Sequence, residues 1–325
     1  MQAVLQDRYG PADVLRLEQI ARPQAAPGEV LLRVRAAGLD RGVWHLMTGR
    51  PYLLRLAFGL RGPKIRVRGS EVAGTVVAVG SAVTRFAVGD EVFGIGIGTF
   101  AEYAVAREDK VALKPPGLSF EQASVVAISA LTALQALRDA GKIQAGQKVL
   151  INGASGGVGT YAVQLAKAFG AEVTGVCSAA KADLVRELGA DHVIDYRTED
   201  FADGVHHYDL IVDVGGNPSP TRLRRALTAR GRAVIAGGEE GGDLTGGMDR
   251  QLRALLLSLF VRQRLTGLLC KENAADLEVL RTMIEEGRLT PYVESTCSLT
   301  EVPDALRRLE AGTIRGKLAV LPATS

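Results

Sequence analysis

The residues best suited to chemistry in this 325-residue chain form one run, Asn152-Gly153-Ala154-Ser155-Gly156-Gly157-Val158-Gly159. A diphosphate needs backbone N–H groups with no side chain in the way, and it gains from the positive end of a helix dipole. The run stands between an apolar, β-branched stretch ending at Asn152 and a helical pattern from Gly157 to Phe169. Gly153 suits a tight turn, Gly156 the close approach of a ligand, and Gly159 the packing of helix on strand. A strand–helix turn without a ligand is the bland alternative, but the strand–helix units downstream favour a dinucleotide site.

The second strand bears on which dinucleotide. NAD-binding units usually carry an acidic residue at its end, roughly 20 residues on, for the ribose 2′-hydroxyl. The run Val173-Thr-Gly-Val-Cys177-Ser178-Ala-Ala-Lys181 has none. Ser178 can donate a hydrogen bond and Lys181 offers a charge to a 2′-phosphate, which points to NADPH. A solvated lysine is the alternative for Lys181, though the first turn of a helix is an electrostatically poor place for one.

These residues need a parallel sheet to hold them. Strand patterns cover Lys148 to Asn152, Glu172 to Cys177, His192 to Asp195, Asp209 to Val214 and Arg232 to Ala236. Helical patterns cover Gly157 to Phe169 and Ala180 to Leu188, and another helix starts near Ser219 or Pro220. That spacing implies an α/β Rossmann fold, a doubly wound parallel sheet with right-handed crossovers. Residues 1 to about 118 read instead as strands and turns, barrel-like, with turns at Pro27-Gly28, Val79-Gly80-Ser81 and Val88-Gly89-Asp90. Ser119, with Gln122 three residues on, is an N-cap for an alanine- and leucine-rich helix to about Ala140. Helices Ala274 to Glu286 and Val302 to Ala311 and a last strand, Lys317 to Leu321, have no sheet of their own to join. This tail should return to the first domain, giving domains 1–121 with 273–325, and 122–272.

Bulk properties narrow the field. A composition 47% hydrophobic and 23% charged is that of a folded protein, long enough for two domains. A net charge of +3 and 5% aromatic residues supply neither the field nor the stacking platform for nucleic acid. The three cysteines, Cys177, Cys270 and Cys297, form no CxxC pair and favour a reducing compartment. No basic start leads into an apolar run, so no signal peptide is expected and the location should be cytoplasmic. The most apolar run, Ala254 to Val261, is shorter than the roughly 20 residues of a bilayer span. It predicts a buried or interface helix, and no membrane partner is expected.

Motifs then carry a resemblance almost end to end. They are Gly69-Ser-Glu-Val-Ala-Gly74, Val88-Gly-Asp-Glu-Val-Phe93, Ser129-Ala-Leu-Thr-Ala-Leu-Gln-Ala-Leu137, the glycine turn, Gly189-Ala-Asp-His-Val-Ile-Asp-Tyr196, Asp213-Val-Gly-Gly216 and Gly316-Lys317. In this order they resemble the medium-chain dehydrogenase/reductase superfamily, in its zinc-independent, quinone oxidoreductase-like branch. The resemblance implies a discontinuous GroES-like β-barrel domain and a Rossmann domain, with the active site in the cleft between them. It implies Gly156, Gly157 and Val158, with Ser155 beside them, on the pyrophosphate, and Thr132 near the nicotinamide. Ser178, Lys181 and Tyr196 would surround the 2′-phosphate and ribose, Asn217 and Gly237 would lie along the cofactor, and Phe260 would line the nicotinamide pocket. For Tyr196 a half-buried tyrosine at a strand end is nearly as good a reading.

Zinc enzymes of the superfamily hold their catalytic metal with cysteine and histidine. The matching positions here are Asp40, Ser70 and Ile128, and Glu71 alone is left of a His-Glu pair. Isoleucine cannot ligate and serine is a poor zinc ligand, so no metal is expected; no cysteine precedes Cys177 to build a structural zinc lobe either. Without a Lewis acid, hydride delivery to a quinone or to the β-carbon of an enone is easier than oxidation of an alcohol.

On the acceptor side, Asp40-Arg-Gly-Val-Trp-His-Leu-Met47 stands where the branch often has an Asn-Pro-x-Asp element facing the nicotinamide. Asp40, His45 and Tyr52 are the candidate catalytic residues, the last two as proton donors. Asp40 could equally pair with Arg41 or Lys64 or cap a helix, His45 could pack on Trp44, and solvent could supply the proton. Arg50, Arg55, Arg61, Lys64, Arg66 and Arg68 follow with no acid among them. They form either a solvated basic loop or a lid for phosphates or an anionic substrate.

Three functions fit: an NADPH-dependent reductase of a small-molecule quinone or activated alkene, an enoyl-thioester reductase, or an NADPH-binding protein with a regulatory or RNA-binding role. Leu265-Thr-Gly-Leu-Leu-Cys270 reads as an apolar edge strand, and relatives of this branch pair through such an edge, so a homodimer is expected.

Overall fold

The computed structural model describes residues 1–238 and 241–322. One compact unit comprises Met1–Leu131, Lys271–Gly287 and Pro291–Ser325; the other comprises Thr132–Cys270 and Arg288–Thr290. The first division falls after Leu131, inside the helix Ala127–Gln135, where the sequence reading puts it at 121/122.

The first unit is organised by one long strand, Glu29–Leu39. One of its edges pairs antiparallel with Glu71–Val79. The other edge is shared by Tyr103–Arg107 near its start and by Lys317–Leu321 near its end. The tail therefore does join the first sheet, and it carries Val293–Ser298 parallel to itself at the outside. Glu91–Ile95 and Val111–Leu113 extend the far side. Alternation decides the core: Val30, Leu32 and Val34 point inward with Val72, Val76, Phe100, Leu306 and Val320.

Ser119 makes both bonds of a capping box, yet its helix is shorter than its composition suggests. It covers Phe120–Ser124, resumes at Ala127–Gln135, and widens into a π turn over Ala136–Ala140, which the Gly141 N–H closes on the Ala136 carbonyl.

The second unit holds six parallel strands: Lys148–Asn152, Glu172–Cys177, His192–Asp195, Tyr208–Asp213, Leu227–Ile235 and Arg264–Gly267. Counted along the chain, they lie side by side in the order third, second, first, fourth, fifth, sixth. The reversal between the first and fourth is the crevice where doubly wound sheets take their ligands. The fifth strand starts earlier than its apolar pattern indicates, because Tyr208 pairs with Leu227 ahead of a bulge. The sixth stops at Gly267 instead of reaching Cys270: Leu268 still donates to Ile235 O, but Leu269 stands in solvent.

The apolar run at 254–261 falls on the helix Met248–Ser258 and the turn after it. Of the two readings, burial fails. This helix buries Arg250 and Ala254 and exposes Leu252, Leu255 and Leu256. No helix among the described residues is long and apolar enough to cross a membrane.

Candidate functional site

At the crevice the first strand ends on Asn152 and the chain reverses at Gly153, whose φ of +84° few side chains tolerate. The N–H groups of Gly153 and Ala154 are spent on Val176 O, and that of Gly156 on Gly153 O. The helix Gly157–Ala168 then begins, and Thr160 is the first residue whose N–H reaches back to Gly156 O. The N–H groups of Gly157 and Val158 precede any intrahelical acceptor. The glycines differ in kind. A Cβ on Gly159 would lie 2.1 Å from Gly153 O, so the turn itself requires glycine there. A Cβ on Gly156 would meet nothing but that oxygen, at 3.4 Å, and its φ of −87° suits any residue. Folding does not need a glycine at 156; a ligand lying against the turn does.

Beside the turn, Asp213 ends the fourth strand fully buried. Its carboxylate accepts from Asn152 Nδ2 at 2.7 Å and from Arg250 Nη1 at 2.7 Å. Asn152 also donates to Gly215 O at 2.6 Å. Arg250 also donates from Nη1 to Pro218 O at 3.1 Å and from Nη2 to Gly237 O at 2.6 Å. One guanidinium thus fixes the loops after the fourth and fifth strands, which carry Asn217 and Gly237. Asn217 lines a shallow pocket with Ser219, Gly241, Gly247, Arg250 and Arg253. Burial pushes the Asp213 carboxyl up to about 6, against the opposing pull of Arg250 and Asn152. The sequence reading missed Arg250, whose signal was a buried strand-end aspartate in need of a cation.

At the second and third strand ends, Asp195 pairs with Cys177 and Tyr196 N donates to Cys177 O at 3.3 Å. Ser178 and Tyr196 are thereby brought to neighbouring strand ends. Ser178 precedes the short turn Ala179–Lys181 and its carbonyl accepts from Lys181 N at 2.9 Å, and Tyr196 is exposed. Arg197, which the sequence reading passed over, lies over the Tyr196 ring. Thr132 and Ser155 are buried. Phe260 is 85% exposed just past the Met248–Ser258 helix, beside the exposed Leu259.

In the first unit Asp40 ends the strand Glu29–Leu39 and caps the helix Arg41–Thr48, Oδ1 accepting from Val43 N at 3.2 Å. Of the readings left open, the cap holds: Arg41 lies over Trp44 and donates to Leu309 O, and Lys64 donates to Ala57 O. Asp40 Oδ2 is buried with no hydrogen-bond partner among the described residues. His45 stands edge-on to Trp44 with Nδ1 at 2.8 Å from Arg50 O. Tyr52 is exposed and stacked on Arg55.

Glu71 is fully buried; Oε1 accepts from Ile128 N at 2.8 Å and Oε2 from Lys317 Nζ, itself buried. Burial drives the Glu71 carboxyl above the ordinary range and Asp40 adds to this, while Lys317 pulls it down. Among the described residues, no group of three or more His, Cys, Asp or Glu side chains could hold a metal ion.

A model of the alcohol dehydrogenase GroES-like domain matches residues 26–116, and one described as a zinc-binding dehydrogenase matches residues 188–320. A quinone-oxidoreductase homolog of Spinacia oleracea chloroplasts is 33% identical over 339 residues, covering 99% of this chain and 98% of the relative. The chain belongs to the medium-chain dehydrogenase/reductase superfamily, in its quinone oxidoreductase-like branch. A 2-methylene-furan-3-one reductase of Solanum lycopersicum is 32% identical, covering 97% of this chain and 77% of its own. Among solved structures, the quinone oxidoreductase from Coxiella burnetii has a TM-score of 0.87 at 29% identity, over 99% of each chain. The Escherichia coli quinone oxidoreductase complexed with NADPH has a TM-score of 0.86 at 25% identity, over 99% of this chain and 100% of that one.

Two outcomes are expected of the buried ion pairs. Glu71→Gln strands the Lys317 ammonium away from water and should cost about 3–5 kcal/mol, most of it regained when Glu71→Leu is combined with Lys317→Met. Urea unfolding of wild type and both variants checks this; a double variant as weak as the single one would refute it. For Asp213 the folded carboxyl lies above its ordinary value of 3.8, so its stabilising contribution is complete below that pH and lost as pH rises through about 6. Wild type should therefore lose stability relative to Asp213→Asn across this window, as read by thermal midpoints at a series of pH values.

Proposed function

We propose that the protein is an NADPH-dependent reductase that delivers hydride to a quinone or an α,β-unsaturated carbonyl compound without zinc. The arrangement around Glu71 carries this reading. Of the superfamily's zinc positions, Ile128 offers only its backbone N–H, and that N–H and Lys317 occupy both oxygens of Glu71. These residues do not fit a zinc ion, and an acceptor that is already electron-poor needs none.

The open space over Gly156 fits a dinucleotide pyrophosphate, with the N–H groups of Gly157 and Val158 as its donors. Bound there, the nicotinamide supplies the hydride. Ser178, Lys181 and Tyr196, with Arg197, would hold the ribose and its 2′-phosphate, and no carboxylate stands at the end of the second strand to repel it. Thr132, Asn217 and Gly237 are assigned along the cofactor, the last two on loops held by Arg250. Phe260, so exposed, is assigned to an apolar surface instead of the nicotinamide pocket. The unpartnered Oδ2 of Asp40 is the acceptor-side group, able to take a hydrogen bond from a protonated oxygen or a water. His45, engaged with Arg50 O, is assigned to packing, and Tyr52 to proton donation.

Two relatives support NADPH: the solved Escherichia coli enzyme and a mycobacterial protein were both determined with it. A thioester acceptor is the second reading, favoured by the CurK enoyl reductase, 26% identical with a TM-score of 0.83 over 99% of each chain. We also propose a homodimer. Among the described residues the edge strand Arg264–Gly267 leaves one side without a neighbouring strand, and Leu255, Leu256, Leu259, Phe260 and Leu269 are exposed on the chain around it. The cytoplasm is the proposed location, three free cysteines suiting a reducing compartment.

NADPH should bind more tightly than NADH, and Lys181→Ala should weaken NADPH about tenfold while leaving NADH alone. Gly156→Ala should weaken both nucleotides at an unchanged thermal midpoint. NADPH oxidation against quinones, enones and enoyl thioesters then separates the readings: turnover of thioesters alone selects the second, and no turnover sinks both. Leu256→Glu with Leu259→Glu should halve the mass seen in analytical ultracentrifugation; a monomeric wild type would end the dimer proposal.

A further inference from the structure

Apart from Tyr52, the segment 50–66 presents a surface that the reductase reading does not use. Leu56 is 71% exposed and Leu60 69%, and Tyr52, Leu53, Phe58 and Ile65 stand in solvent with them. This concentration of large apolar side chains in one short stretch exceeds what scattered surface residues produce. The backbone beneath is held. Tyr9 Oη donates to Gly59 O at 2.7 Å, Lys64 N to Phe58 O at 2.9 Å, and Arg55 Nε to Gly49 O at 2.9 Å. The Arg55 guanidinium also lies over both Tyr9 and Tyr52. The apolar side chains are thus presented outward from an anchored base.

The charge of the segment is one-sided. Arg50, Arg55, Arg61, Lys64 and Arg66 lie among the apolar residues, and no acid occurs from 50 to 68. Asp7 neutralises Arg66 from outside the segment but does so together with Arg16. A second copy of the same face would bring arginine against arginine, which disfavours a symmetric self-contact. A surface of phosphates over a hydrocarbon layer meets both features: guanidinium and ammonium groups take the phosphates, and leucine and phenylalanine enter the acyl boundary.

We propose that residues 50–66 form a peripheral docking surface for an anionic lipid bilayer. This replaces the expectation of no membrane partner, which rested on the lack of a spanning run and was blind to side-chain exposure. The proposal is independent of the reductase reading, since vesicle binding needs no turnover.

Co-sedimentation of the full chain with vesicles of equal parts phosphatidylglycerol and phosphatidylcholine tests it, against vesicles of phosphatidylcholine alone. Binding to the mixed vesicles is expected, about tenfold stronger than to the neutral ones. Leu56→Ser with Leu60→Ser, and separately Arg61→Glu with Lys64→Glu, should each weaken it about tenfold. Circular dichroism and the thermal midpoint should not move, because these side chains face solvent. Equal binding to both vesicles, no binding to either, or wild-type binding by either variant would overturn the proposal. So would a smaller particle for the Leu56→Ser, Leu60→Ser variant in size-exclusion chromatography, which would mean that a second copy covers this face.

Discussion

A single carboxylate holds the second unit together where it matters. Asp213 sits with no exposure at the point where the strand order reverses, and burial makes its charge tolerable only with partners on every side. Asn152 and Arg250 are those partners. Through Asn152 the carboxylate sets the exit of the first strand and hence the angle of the glycine turn. Through Arg250 it sets the two loops that follow the fourth and fifth strands. The polarity of the Met248–Ser258 helix follows from the same demand: Arg250 is drawn in, and Leu252, Leu255 and Leu256 are left outside.

The first unit solves an analogous problem with different parts. Glu71 is fully buried, and its two oxygens are consumed by a backbone amide and an ammonium. Positive charge is supplied to this buried acid by Lys317. Asp40, nearby, caps a helix with one oxygen and keeps the other unengaged.

Much of this was legible in the residues. The glycine turn, the strands on either side of it and the capping serines at 119 and 219 declare themselves through local chemistry, and the structure places them where that chemistry requires. Interactions across long stretches of chain were hidden. Arg250 was passed over, because periodicity ranks an arginine outside and cannot see the carboxylate at 213. Lys317 entered only as part of a motif, and its partner lies 246 residues away. The basic residues at 50–66 read as a solvated loop or a lid since charge is visible in a sequence and the exposure of the leucines between them is not.

That same separation between Glu71 and Lys317 has a consequence for biosynthesis. A ribosome delivers the strand Glu29–Leu39 and the buried acid early, while the strand that completes the sheet and carries the counter-charge emerges only after the whole parallel sheet has been made. Until then the first unit has an open edge and a carboxyl without its counter-charge. The Rossmann unit is contiguous apart from a short piece and has no such dependence. Vectorial synthesis therefore imposes an order on this molecule: the dinucleotide half matures first, and the half that begins the chain is the last to close.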